Sequence, residues 1–236
     1  RLETGWGFSC LIKTSDKQIL FDTGGDSRTL LNNMQKMNIS PKDIDIVVLS
    51  HIHGDHTGGL SGILEENSNV SVYVLGSFPE SFKQDVRERG AELVDVIGER
   101  QIYKNIYSTG GLSAFGLKEQ SLVVVTDKGI VVLTGCAHPG IVNIIEHVKK
   151  MNVLDTSDRH IYLVMGGFHL LGASESELKN IIKSLKELGV EKVAPCHCSG
   201  DKARQLFKEE YGENFIENGV GKIIEIDKLD GDKLDG

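Results

Sequence analysis

No apolar run in the 236 residues approaches the roughly 18–20 that a membrane-crossing helix needs, so no membrane span is expected. No signal peptide is visible, which makes the cytoplasm the expected compartment. The sequence opens on Arg1 rather than Met, and that expectation extends only from Arg1 onward. Positive charge is in short supply. The 26 Lys and Arg against 34 Asp and Glu leave a formal net charge of −8, so nucleic acid is not the expected partner. Cysteine is scarce. Cys10, Cys136, Cys196 and Cys198 are too irregularly spaced for a disulfide framework and read as reduced thiols. What remains, 39% hydrophobic and 25% charged, is ordinary for a globular protein long enough to bury a sizeable core.

Histidine is what the sequence concentrates. Ser50-His51-Ile52-His53-Gly54-Asp55-His56-Thr57-Gly58-Gly59 directly follows the apolar, β-branched run from Ile44 to Leu49, which reads as a buried strand. Alternation puts His51 and His53 on one side of an extended segment. A bend at Gly54 then lets Asp55 and His56 face a second position, so the spacing suggests two metals. Imidazole nitrogen with a carboxylate oxygen suits zinc, iron or manganese better than magnesium or calcium.

The rest of the chain alternates strands and helices. Strands are expected at 6–12 and 18–22, joined by a turn at 14–17, and a helix at about 27–37 with Asp26 as N-cap. Further helices are expected at 60–66 and from Pro79 to about 89, with a strand at 70–75 between them. Strands at 93–97 and 101–108 lead to a Gly-rich loop or irregular strand at 109–116. A hairpin at 121–134 delivers Cys136 and His138, and Pro139 opens a helix to about 151. A strand at 160–165 ends near His169. A capping box of Ser174 and Glu177 starts a helix to 188. A strand at 191–195 then leads to Cys196-His197-Cys198 and a helix at 201–211, and 221–226 reads as a last strand. Six of the eight histidines, His51, His53, His56, His138, His169 and His197, fall at strand ends. His147 and His160 do not, and read as surface or core residues. Strand ends that each offer a histidine suggest one ligand cluster along an edge of packed sheets. The alternation suits two sheets flanked by helices.

The run from His51 to His56 resembles the signature of the metallo-β-lactamase superfamily. That resemblance covers nearly the whole chain. It implies an α/β fold, an αββα sandwich of two mixed sheets packed face to face with helices outside, as a single domain over 1–226. The repeated Asp-Lys-Leu-Asp-Gly at 227–236 is read as a short acidic tail. Asp22 resembles the family's early Asp, which supports the ligand loop. His51, His53, Asp55 and His56 match the central motif, and His197 resembles the last metal ligand. Two positions depart from the pattern. Gly135-Cys136 stands where the family usually has a bridging Asp, and 116–121 lacks its usual His. His138 is the candidate for one lost ligand, and Cys136 or Glu119 for the other. The motifs around Cys136-Ala137-His138-Pro139-Gly140, Phe168-His169 and Cys196-His197-Cys198 resemble a subgroup. It includes the archaeal dihydropterin–ribofuranosylaminobenzene 5'-phosphate synthase of methanopterin biosynthesis.

The expected metal ligands are therefore His51, His53, Asp55, His56, Cys136, His138 and His197, holding one or two divalent ions, zinc first and iron or manganese next. Asp55 and His169 are the expected catalytic groups. Three functions stand side by side. One is metal-dependent hydrolysis of a phosphoester or other anionic small molecule. A second is transfer, with an arylamine displacing pyrophosphate from an activated pterin between aromatic walls such as Phe8, Phe115 and Phe168. The third is a metal-binding or redox module invited by Cys196-His197-Cys198.

Overall fold

A computed structural model describes residues 1–154 and 156–226. The acidic tail expected at 227–236 lies outside the described residues. In the first half, β1 (Cys10–Lys13) and β2 (Gln18–Phe21) pair antiparallel across a turn closed by the Thr14 N–H on the Lys17 carbonyl. Helix α1 (Ser27–Lys36) is capped by the Asp26 carboxylate, which accepts from the Thr29 N–H at 2.8 Å. Next come β3 (Ile46–Val48), the one-turn helix α2 (Gly54–Thr57), α3 (Leu60–Glu66), β4 (Ser71–Leu75), α4 (Glu80–Glu88) and β5 (Glu92–Val96). β1 to β5 form one sheet in that order, parallel from β2 onward.

The second half begins with β6 (Arg100–Tyr103), β7 (Ile106–Ser108), β8 (Leu112–Ala114), β9 (Leu117–Glu119), β10 (Leu122–Thr126) and β11 (Gly129–Thr134). It continues through α5 (Ile141–Val148), β12 (Ile161–Gly167), α6 (Glu175–Glu187), β13 (Val190–Cys196) and α7 (Asp201–Tyr211). The second sheet runs β13-β12-β11-β10-β7-β6, while β8 and β9 form a separate hairpin. β11, β12 and β13 are parallel and the other pairs antiparallel, so both main sheets are mixed.

Alternating side chains explain the layering. Ile19, Phe21, Ile46 and Val48 of the first sheet pack against Leu122, Val124, Val131 and Leu133 of the second. The opposite face of the first sheet, with Leu20, Val47, Val72 and Val74, is covered by Met34 of α1, Ile63 of α3 and Val86 of α4. The opposite face of the second, with Val123, Ile130, Val132 and Val164, is covered by α5, α6 and α7 through Ile144, Leu178, Ile182 and Phe207. This is the expected αββα sandwich. Among the described residues no helix is long and apolar enough to cross a membrane.

Several local expectations are corrected. The strand expected over 101–108 is a hairpin, because Asn105 turns the chain at φ 60°, a conformation Asn tolerates. The Gly-rich 109–116 holds the start of the β8–β9 hairpin, whose tip has Phe115 at φ 46° and Gly116 at φ 87°. Phe at a left-handed turn position is not a turn signal, so the hairpin was not legible. Pro79 precedes its helix rather than opening it. Pro139 lies in a turn closed by the Gly140 N–H on the Ala137 carbonyl, and α5 starts at Ile141. No strand forms at 221–226. The chain meets β13 earlier, at a lone bridge between Phe215 and Val193, while Ile224 and Ile226 pack on the inter-sheet core without a ladder.

Candidate metal centre

The carboxyl ends of β2, β3, β11, β12 and β13 converge, and the turns after all of them but β3 hold a residue in a conformation few side chains adopt. Asp22, Ala137, His169 and His197 have φ of 59°, 63°, 51° and 50°. Such left-handed residues persist only where their surroundings hold them, and they gather at functional sites.

Asp22 is the first holding group. It is wholly buried, and its Oδ1 accepts from the Ser50 N–H at 2.6 Å. Its Oδ2 accepts from the Ser50 hydroxyl at 2.7 Å and from His56 Nδ1–H at 2.6 Å. The Ser50 hydroxyl has spent its one proton on Asp22, so at 2.8 Å it accepts from His51 Nδ1–H. One carboxylate thereby orients two imidazoles and sends both Nε2 atoms the other way. This is the support role that the resemblance implied for Asp22. Gly135 is part of it: a Cβ there would lie 2.2 Å from the Ser50 hydroxyl and 2.9 Å from Asp22 Oδ2.

Glu119, at the end of β9, is the second holding group. It is buried. Oε1 accepts from the N–H groups of Cys136 and Ala137, both at 2.8 Å. Oε2 accepts from the His138 N–H at 2.9 Å and from His138 Nδ1–H at 2.7 Å. Both oxygens are engaged by one loop, so Glu119 is not a substitute ligand; it folds the Cys136–His138 turn and aims His138 Nε2 inward. Burial would raise its pKa, but the His138 hydrogen bond, the nearby His51 and the backbone N–H groups outweigh that and bring it down to about 2.

Three sets of donor atoms result, each gathered within 4.8 Å. Asp55, His56, Cys136 and His197 form one; His51, Cys136 and His138 form the second; Cys136, His169 and Cys198 form the third. The Cys136 sulfur belongs to all three. It stands 3.2 Å from His56 Nε2, while Asp55 Oδ2 lies 3.3 Å from His197 Nε2. His53, expected as a ligand, is in none of the three sets, although its ring is centred 4.7 Å from the His51 ring and 5.0 Å from that of His138. His169 is exposed at the mouth, its ring 4.4 Å from that of His138. The sequence reading missed Cys198. It is buried, and its thiol donates to the Cys136 carbonyl at 3.5 Å. Its partner in the C-x-C pair, Cys196, packs against the inter-sheet core and is in none of the donor sets, so the pair does not chelate as a unit. His147 and His160 lie outside the sets, beside Glu99 and Glu191.

The donor chemistry fits metal ions. His51 Nε2 is buried with no hydrogen-bond partner, which is costly unless something else satisfies it, and His197 Nε2 faces only the Asp55 carboxylate, 3.3 Å away. Imidazole nitrogen, thiol sulfur and one carboxylate suit zinc or iron over magnesium. Tying each Nδ1 to a carboxylate or hydroxyl is how a ligand histidine is fixed in tautomer and direction.

Burial pushes the His51 pKa from 6.5 down to about 3 and that of His197 down to about 4. Both stay neutral in the folded metal-free chain at pH values where the unfolded chain binds protons. Stability then falls as pH drops below about 6.5 toward those folded values. Glu119 adds to the loss below its unfolded 4.5. These two imidazoles should therefore lower the stability of the metal-free protein from about pH 7 to pH 5, by up to about 1.4 kcal/mol per pH unit each, against a smaller opposite contribution from His56 and Asp22, whose pKa values are raised. Calorimetry in chelator tests this. A flat melting temperature over that range would mean that these rings are not buried neutral.

Comparison with known proteins agrees with the geometry. The Metallo-beta-lactamase superfamily model matches residues 7–197. The chain is 32% identical to the 7,8-dihydropterin-6-methyl-4-(beta-D-ribofuranosyl)-aminobenzene-5'-phosphate synthase of Methanocaldococcus jannaschii, over 92% of this chain and 89% of that protein. Among solved structures it is similar to Tm1679, described as a metal-dependent hydrolase of the beta-lactamase superfamily. The TM-score is 0.75 at 32% identity, covering 95% of this chain and 93% of the other. YhfI of Bacillus subtilis shares the fold at 14% identity, with a TM-score of 0.63 over 89% and 86% of the two chains.

Proposed function

The chain belongs to the metallo-beta-lactamase superfamily, and on that premise we propose that it is a metal-dependent hydrolase of phosphoesters or other anionic small molecules. The observation that carries this reading is the pair of donor sets joined at Cys136, beside a mouth where His53 and His169 are exposed to water. His51, His53, His138 and Cys136 would hold one ion; Asp55, His56, His197 and Cys136 would hold a second. Divalent ions there supply Lewis acidity, bringing the pKa of water toward neutrality and polarising a phosphoryl or carbonyl oxygen. The Asp55 carboxylate, 3.3 Å from His197 Nε2, would also orient the attacking water. His169, whose ring lies 4.4 Å from that of His138, would hydrogen-bond the leaving group. A cavity of about 180 Å³ continues past His138 and His169 to Gly140, Ile141 and Asn143 at the start of α5. The N-terminal N–H groups of that helix favour an anionic substrate.

Transfer is the second reading, favoured by the similarity to the archaeal synthase over nine-tenths of both chains. The same centre would then grip a pyrophosphate leaving group while an arylamine attacks. One experiment separates the two. Metal-loaded protein is assayed on a phosphoester panel and, separately, with an activated pterin alone and together with an arylamine. Hydrolysis predicts turnover of an ester without any second substrate, lost on chelation and regained on metal return. Transfer predicts pyrophosphate release only when both partners are present.

A further inference from the structure

Trp6 is the single tryptophan of the chain, and its side chain is not where burial would put it. It is 61% exposed, yet its ring centroid lies 4.8 Å from that of His197, at the edge of the metal centre. Its backbone is pinned. A Cβ on Gly25 would lie 2.4 Å from the Trp6 carbonyl oxygen, and one on Gly7 would lie 2.5 Å from Gly25 N and 2.8 Å from the Asp55 carbonyl oxygen. The Phe8 N–H donates to the Asp55 carbonyl at 3.1 Å, and the Gly24 N–H donates to the Phe8 carbonyl at 2.8 Å. Segment 6–8 is thus clamped between the loop after β2 and the turn that carries Asp55, with a large aromatic ring left standing in solvent.

A second exposed apolar side chain flanks the turn that carries His197. Leu171 is 70% exposed, and its N–H donates to the Cys198 carbonyl at 3.1 Å. Its Cδ1 would lie 3.0 Å from a Cβ on Gly200. Trp6 and Leu171 therefore both stand against the segment from His197 to Gly200. Of the residues expected as aromatic walls, Phe8 is buried in the inter-sheet core, Phe168 is buried yet lines the cavity beside His138 and His169, and Phe115 is fully exposed at a hairpin tip.

We propose that Trp6 is the wall of a subsite that takes a planar aromatic ring of the substrate while the adjacent centre holds its anionic group. This rests on the metal-centre reading above and adds a substrate class to it. A rigid indole face offers offset stacking to a flat ring and little to an aliphatic chain. The clamped backbone means that the face is presented before the ligand arrives.

The test uses two non-hydrolysable probes of equal charge, phenylphosphonate and methylphosphonate, titrated into the zinc-loaded full chain by calorimetry and by tryptophan fluorescence. Phenylphosphonate should bind about tenfold tighter and change the emission of the single tryptophan, whereas methylphosphonate should leave the emission nearly unchanged. Trp6→Ala should lose the preference while keeping its zinc and its methylphosphonate affinity, and Trp6→Phe should keep most of the preference. Equal affinities with zinc bound, or a preference that survives Trp6→Ala, overturn the subsite and leave the metal centre standing. A chain that binds neither zinc nor phosphonate overturns both. Should Trp6→Ala not fold, the two-probe comparison on the unaltered chain decides.

Discussion

Replacing His51 and His53 together by alanine should abolish metal-dependent activity, lowering the rate on any ester the protein turns over at least a thousandfold, about 4 kcal/mol. The same variant should lose the part of the zinc stabilisation that the His51, Cys136 and His138 set would confer. His51 carries the argument. Its ring is wholly buried, its Nδ1 is spent on Ser50, and its Nε2 has no protein partner. A buried imidazole nitrogen without a partner destabilises the metal-free chain, and bound metal would satisfy it. A ligand that binds only the folded state stabilises by about 4 kcal/mol at a thousand times its dissociation constant, so the parent's melting temperature should rise clearly with zinc. The double variant should show a clearly smaller rise, coming from the ion that Asp55, His56, His197 and Cys136 would still hold, while keeping the parent's metal-free circular dichroism. Full zinc stabilisation in that variant would remove both histidines from the ligand set.

Glu119→Gln should destabilise the metal-free protein by about 3 kcal/mol and weaken metal binding roughly ten- to a hundredfold. The substitution keeps shape and length, so packing does not explain the cost. The reason is donor–acceptor sign. Both Glu119 oxygens accept, from three backbone N–H groups and one imidazole N–H. A glutamine amide must turn its NH₂ toward donors on one side or the other, leaving buried N–H groups facing N–H. In a chain of this size, that loss lowers the melting temperature by roughly 6–12 °C. Denaturant melts and zinc titrations of Glu119→Gln and Glu119→Asp check it. If Glu119→Gln matches the parent in both, the carboxylate is not what folds the Cys136–His138 turn.

The first half of the centre was legible because it is local. His51, His53, Asp55 and His56 lie within six residues after a strand, and geometry set by so short a stretch shows in the spacing. Cys136, His138 and His197 were legible as polar residues at strand ends. That the Cys136 sulfur would be common to all three donor sets was not, because it depends on how two sheets close on each other. Glu119 was misread for the same kind of reason. Its partners lie 17 to 19 residues further on, and only the β8–β9 hairpin brings them together. Cys198 was missed as a site residue because it reaches Cys136 across Gly167, where a Cβ would lie 2.7 Å from the Cys198 sulfur. Phe8 was expected at the cleft but falls on a core-facing position and fills the inter-sheet core, whereas Phe168 does line the cavity beside His138. Exposure of Trp6 is not encoded in any period.

The central proposal is that the two donor sets joined at the Cys136 sulfur would each hold an ion. Cobalt(II) titration of the metal-free chain, followed by absorption, tests it most directly. The account predicts uptake of about two equivalents, with a thiolate-to-cobalt charge-transfer band that is lost in Cys136→Ser and kept in Cys10→Ser. Cobalt uptake by the parent without a thiolate band, or a band that survives Cys136→Ser unchanged, would contradict it.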